Sequence, residues 1–149
     1  MTEVLFYHLT LHPLEEVLPG LLETCLQRDW RVVVQTGSSE RCAALDSLLW
    51  SYRDDAFLPH GTSADGREAM QPVYLTDGQD TPNGATVRFL VDRAVPGDLS
   101  PFTRGVFLFD GSDPEAVSDA RGHWKRLKGE GHELTYWQQA DTGRWERKA

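Results

Sequence analysis

Short apolar runs rich in β-branched residues alternate along this chain with longer stretches of helical period. That alternation constrains the fold more than any other feature. Arg31 to Gln35 (RVVVQ) has the composition of a strand buried on both faces, the state of strands inside a parallel sheet. Before it, Glu3 to Thr10 (EVLFYHLT) reads as a first strand, and Leu14 to Arg28 places Leu14, Val17, Leu18, Leu21, Leu22, Cys25 and Leu26 at helical spacing. Pro19-Gly20 inside that stretch predicts a kink or a late helix start. After it, Thr36-Gly37-Ser38-Ser39 is a turn with N-cap residues, and Glu40 to Tyr52 predicts a second helix with Cys42, Leu45, Leu48, Leu49 and Tyr52 inward. Strand, helix, strand, helix in that order predicts a three-layer α/β fold, a mostly parallel sheet flanked by helices. Further strands are expected at Pro72–Thr76, Ala85–Asp92, Gly105–Phe109 and Glu133–Gln138, the last of them an edge strand. Residues 1–140 form one domain in this reading. Residues 141–149 are a polar tail that frays unless Trp145 docks.

Charge and composition narrow the function classes. The chain has 149 residues and a net charge of −8, distributed unevenly. Residues 1–120 carry −11, residues 121–149 carry +3, and all three lysines lie in the second segment. An acidic bulk argues against general nucleic-acid binding, whereas a basic end argues for one local site with an anionic partner, an acidic protein segment first among them. Direct DNA binding through that basic end is a third reading, opposed by the −11 of the remainder. No apolar run is long enough to span a membrane, which takes about 20 residues. The start MTEVLFYHLTLHP has no basic region of a secretory signal, so a cytoplasmic location is expected. Cys25 and Cys42 are too few for a disulfide framework and read as buried free thiols.

Enzyme chemistry finds little purchase. The turn QTGSSE has a single glycine and lacks both glycine-rich phosphate-binding patterns. His8, His12, His60, His123 and His132 show no H-x-x-x-H pair and no matching cysteine, so no metal or cofactor is expected. No G-x-S-x-G elbow is present. The alternative kept open is a small nucleotide- or phosphate-binding α/β enzyme. It would use the Gly37 turn and the His60 loop, with Asp54 and Asp55 beside His60 for acid–base work.

Ser112 to Lys128 (SDPEAVSDARGHWKRLK) carries the strongest functional pattern. Ser112 and Glu115 have the spacing of a capping box, Pro114 suits the first turn and Gly129 a stop. On a helical wheel Ala116, Ala120, His123 and Leu127 share the core side, while Arg121, Lys125 and Lys128 share the neighbouring arc with Trp124 at the border. An aromatic flanked by three cations suits an acidic peptide bearing an apolar group. The same pattern also describes a tryptophan that closes the core edge beside a solvated face. Trp50, at the end of the second helix, and Phe57, in the loop after it, are a second pair. They fall together at one end of the sheet, either in the core or as an apolar docking patch.

The segments LFYHL, WRVVVQ, ALDSLLW with FLPHG after it, PVYL, TVRFLVD and DARGHWKRLKGEGHEL follow one another over nearly the whole chain. In this combination the sequence resembles the chi subunit family of the bacterial DNA polymerase III holoenzyme. The resemblance implies a Rossmann-like fold without nucleotide chemistry and a non-catalytic bridging role in DNA replication. One face of a chi subunit binds the psi subunit of the clamp loader. Another binds the acidic tail of the single-stranded-DNA-binding protein, which ends in Pro-Phe. The AR-x-x-[aromatic]-K pattern of the tail site falls on Arg121, Trp124 and Lys125, with Lys128 a fourth member by position; the psi side falls on Trp50 and Phe57. Psi, or a helicase-like alternative partner, and the single-stranded-DNA-binding protein are thus the expected partners. Contact with single-stranded DNA is indirect, and no membrane is involved.

Overall fold

A computed structural model describes residues 2–53 and 57–149. Its centre is a seven-stranded sheet. The strands are β1 (Glu3–Leu9), β2 (Val32–Gln35), β3 (Val73–Thr76), β4 (Val87–Leu90), β5 (Arg104–Asp110), β6 (Glu133–Gln139) and β7 (Trp145–Arg147), in the spatial order β3-β2-β4-β5-β1-β6-β7. All pairings are parallel except β6 with β7. The three α-helices are α1 (Leu14–Gln27), α2 (Ser39–Ser51) and α3 (Pro114–Gly129).

The layers follow from the alternation of side chains along the strands. Val32 and Val34 of β2, with Phe89 and Val106, join Leu18, Leu22, Leu45 and Leu49 of α1 and α2 in one core. Val33, Val4, Phe6 and Phe107 point the other way and meet Ala116, Ala120 and Leu127 of α3. The three central strands therefore read as unbroken apolar runs, because each face has its own cover. Arg88 is the exception inside β4. It is 1% exposed, and its guanidinium is satisfied by Gln35 Oε1 at 3.0 Å, the Gly78 carbonyl at 2.6 Å and the Asp80 carbonyl at 3.3 Å. These bonds tie the 77–84 connection to β4 and β2.

Four expectations are corrected. Helix α1 runs through Pro19-Gly20 unbroken, with the proline ring buried among the leucines that hold the helix to the sheet. The cap of α3 is Asp113, whose side chain accepts from the Glu115 N–H at 3.0 Å; Ser112 instead donates to Asp110 at 2.6 Å. Gly129 closes α3 as its last residue rather than stopping it, and the positive φ of 91° falls on Gly131. Strand β6 is not an edge, since the chain turns at Gly143 (φ 85°) and returns as β7. Segment 141–149 thus contributes a strand, and Trp145, whose docking the sequence reading left open, packs against Tyr7 with ring centroids 4.7 Å apart. Cys25 is buried and Cys42 half-buried, both as free thiols.

Candidate docking sites

Helix α3 lies on the sheet through Ala116, Ala120 and Leu127, so the arc beside them is set at the junction with β6. Trp124 occupies that junction half-buried. Its ring meets Phe6 edge-on at 5.3 Å and Tyr136 of β6 at 6.0 Å. Leu134 packs against the same cluster. His123, one position back, stacks on Phe107 at 5.5 Å, so it belongs to the core side; burial and the neighbouring Arg126 hold its pKa down. Arg121, Lys125 and Lys128 are exposed along the rim. Among the described residues none of these three has a carboxylate within 4.0 Å, whereas Arg126 on the same helix reaches Glu130 at 3.4 Å. The result is an aromatic shelf with three uncompensated positive charges along it.

Tyr136 is the component that sequence reasoning missed. Its phenol is hydrogen-bonded to His8 Nδ1 at 2.6 Å. Burial raises its pKa, and the positive charge of Arg121 works against that rise. The available signal was the register of β6. In ELTYWQ, Leu134 and Tyr136 share the α3 side and Trp137 takes the opposite one.

Trp50 and Phe57 form the second surface, on the layer of α1 and α2. They are 54% and 72% exposed, with centroids 5.9 Å apart, so neither belongs to the core. The loop is fixed by buried residues next to them. Leu58 is in the core, and His60 is 4% exposed, with Nδ1 2.6 Å from the Leu58 carbonyl and Nε2 3.1 Å from the Asp46 carbonyl of α2. The Trp50 ring lies 4.6 Å from the His60 ring. Beside Phe57 a shallow hollow of about 480 Å³ is bounded by Leu26, Arg53 and Pro59. Asp54 and Asp55, considered as acid–base partners of His60, lie outside the described residues.

The family model of the DNA polymerase III chi subunit, HolC, matches residues 1–135. The chain belongs to the DNA polymerase III chi subunit family. Among its relatives, the probable DNA polymerase III subunit chi of Rickettsia prowazekii is 30% identical over 100 residues, which span 67% of this chain and 59% of that protein. The DNA polymerase III subunit chi of Pseudomonas aeruginosa is 26% identical over 119 residues, 80% of this chain and 82% of that protein.

In this chi-family chain, the chain itself engages the backbone donors at the place where a fold of this kind takes a nucleotide. That place is the crevice at the carboxyl ends of β1 and β5, where α1 and α3 leave to opposite faces. The crevice measures about 560 Å³ and is lined by Glu15, Asp92, Asp110 and Asp113. Its first turn presents the backbone N–H groups of Thr10, Leu11 and His12, and all three donate to Gln139 Oε1 at 3.0–3.1 Å. The two guanidiniums nearby are already paired, Arg41 with Glu15 and Asp92, Arg93 with Glu115 and Asp119. At the next turn, a Cβ on Gly37 would stand 2.1 Å from the Asp92 carbonyl oxygen, so this glycine serves close backbone packing. Among the described residues, a phosphate in this crevice would meet carboxylates and no unpaired guanidinium.

No helix of the described residues is long and apolar enough to cross a membrane.

Proposed function

We propose that this chi-family chain is a non-catalytic accessory subunit of the DNA polymerase III holoenzyme that joins two partners. The α3 shelf takes the acidic C-terminal tail of the single-stranded-DNA-binding protein, and the Trp50–Phe57 surface takes psi or a helicase-like protein in its place. The observation that carries the tail reading is the half-buried Trp124 wall bordered by Arg121, Lys125 and Lys128 without carboxylate partners. The cations steer the acidic segment, and one of them holds the terminal carboxylate. Trp124 and Tyr136 supply the apolar surface for the terminal phenylalanine, an aromatic contact worth about 0.5–1.5 kcal/mol beyond area burial. A tail of few residues offers little area, so micromolar-range affinity with strong salt dependence is expected. Several tails on one DNA-bound oligomer raise the effective affinity through avidity, and the contact with single-stranded DNA is indirect. The protein works in the cytoplasm in this reading.

The test is titration with a fluorescent peptide of the tail at low and high salt. Binding should weaken with salt and vanish when the terminal phenylalanine is removed. Arg121→Ala and Lys125→Ala, both exposed, should each weaken it by at least about fivefold, as expected for charge-assisted hydrogen bonds, and leave the unfolding curve unchanged. Trp124→Ala should abolish it. Phe57→Ala and Trp50→Ala should leave it intact while weakening the second partner. Tail binding that persists in the α3 variants refutes the site.

A further inference from the structure

A groove on the opposite face of the sheet from the α3 shelf has its own chemistry. Along the Leu21–Arg28 side of α1, the helix and strands β1, β4 and β5 bound a cavity of about 200 Å³. Leu5, Phe89, Val106 and Leu21 line it together with the Cys25 thiol, the Tyr7 phenol and the Thr24 hydroxyl, which donates to the Gly20 carbonyl at 3.0 Å. Trp30 stands at the opening with two guanidiniums on its ring, Arg28 at 5.0 Å and Arg104 at 4.9 Å from the centroid. Arg28 is exposed and, among the described residues, has no carboxylate within 4.0 Å. Arg104 has Glu3 at 3.4 Å.

Both charges act inward. Burial raises the pKa of the Cys25 thiol, and Arg104 and Arg28 oppose that rise; Arg104 likewise opposes the rise at Tyr7. Two guanidiniums thus line the groove, Arg104 already paired with Glu3, in a molecule that is acidic overall. The volume is below the range of about 300–1,000 Å³ typical of whole small-molecule pockets, so it suits one side-chain-sized group. An apolar slot with guanidiniums at its mouth matches an apolar group joined to a carboxylate, because the planar fork of arginine pairs with a carboxylate through parallel hydrogen bonds. Arg104 pairs with Glu3, so an incoming carboxylate would compete with Glu3 for that guanidinium.

We infer that this groove binds an aromatic or branched-chain carboxylate, its apolar group seated between α1 and the sheet and its carboxylate held by Arg28 and Arg104. The inference stands on its own geometry and holds whatever binds at Trp124.

Cys25 lies in the groove wall and reports occupancy. The full chain is labelled with methyl methanethiosulfonate in the presence of 3-phenylpropanoate or of its uncharged amide, and modification is read by peptide mass spectrometry with Cys42 as internal reference. The carboxylate should slow labelling of Cys25 saturably and leave Cys42 unaffected. The amide should require about tenfold higher concentration for the same protection, the loss expected for a charged hydrogen-bonded pair, and Arg28→Gln should raise the carboxylate requirement by about the same factor. Leu21→Trp, which fills the slot, should remove the ligand effect. A peptide ending in a free phenylalanine carboxylate is run in parallel with its amidated form. Protection by the free-acid peptide identifies a protein chain end as a source of the ligand, and protection by the small acid alone identifies a free acid; both support the site. Unsaturable protection, equal protection by acid and amide, or an unchanged response in Arg28→Gln overturns it.

Discussion

Replacing Gly122 by alanine should stabilise the protein, and the structure sets the size of the gain. Gly122 lies in the interior of α3, is exposed, and has no positive φ. A Cβ built there has nothing within 4 Å, so the substitution adds neither clash nor tertiary contact. What remains is the intrinsic difference between glycine and alanine inside a helix, about 0.8–1.0 kcal/mol, most of it backbone entropy of the unfolded chain. With an unfolding entropy of about 2.1 cal/mol/K per residue, a chain of this length should gain about 3 °C in Tm. In urea the midpoint should move up by about 0.5 M at an m-value of about 2 kcal/mol/M, with the slope unchanged. Calorimetry and tryptophan-monitored urea unfolding of Gly122→Ala and the parent chain measure both. An unchanged or lowered Tm with an unchanged m-value refutes the argument. It would mean that the α3 backbone at residue 122 is held in a conformation, or against a neighbour, other than the one described.

The same substitution at Gly37 should have the opposite sign: a Cβ 2.1 Å from the Asp92 carbonyl forces the β2–α2 turn away from the β4–β5 connection, and urea unfolding should show a loss of about 1–3 kcal/mol. Stability should fall as pH drops below about 6.5, because burial holds His8 and His123 below that ordinary value and the unfolded chain then binds more protons than the folded one. The fall from these two groups ends once pH passes their folded-state values, Asp110 opposing the shift at His8 and Asp119 that at His123. Urea midpoints from pH 7.5 to 5 should show a shallower slope in His8→Gln, and an equal slope excludes His8 as a source. Arg88→Met should cost about 1–3 kcal/mol, since it leaves Gln35 Oε1 and the Gly78 carbonyl without their donor, and a neutral result would show water replacing the guanidinium.

Much of this architecture is legible in the sequence because the strands between two helical layers must be apolar on both sides. VVV in β2 and the GVFLF run show this directly, and the VRFL run does so apart from Arg88. The unbroken α1 was harder to read. Local rules break a helix at Pro19-Gly20, but the buried leucines on either side outweigh the local cost. Strand β7 is three residues of mixed polarity, held by pairing with β6 rather than by its own pattern, although Asp141-Thr142-Gly143 is a turn signal. At the shelf, the helical period placed Arg121, Trp124, Lys125 and Lys128 on adjoining arcs without help from the fold. For Tyr136 the alternation in ELTYWQ pairs it with Leu134 on one face, and the register of β6 against β1 then sets it beside Trp124. The exposure of Trp50 and Phe57 depends on Leu58 and His60 filling the space beneath them, which only the three-dimensional arrangement reveals.

Trp50 and Phe57 sit on the α1–α2 layer, Trp124 and its cations on the α3 layer, and between them lies a close-packed sheet with a separate core on each side. On the proposed function, ligands on these two surfaces would share no named side chain, and the coupling free energy expected between them is near zero. Occupying one surface should then leave the dissociation constant at the other unchanged, and the doubly bound population should be the product of the two single occupancies. A chain that joined partners in this way would act as a passive adaptor, raising the local concentration of one near the other by tethering alone and letting either exchange without releasing its counterpart.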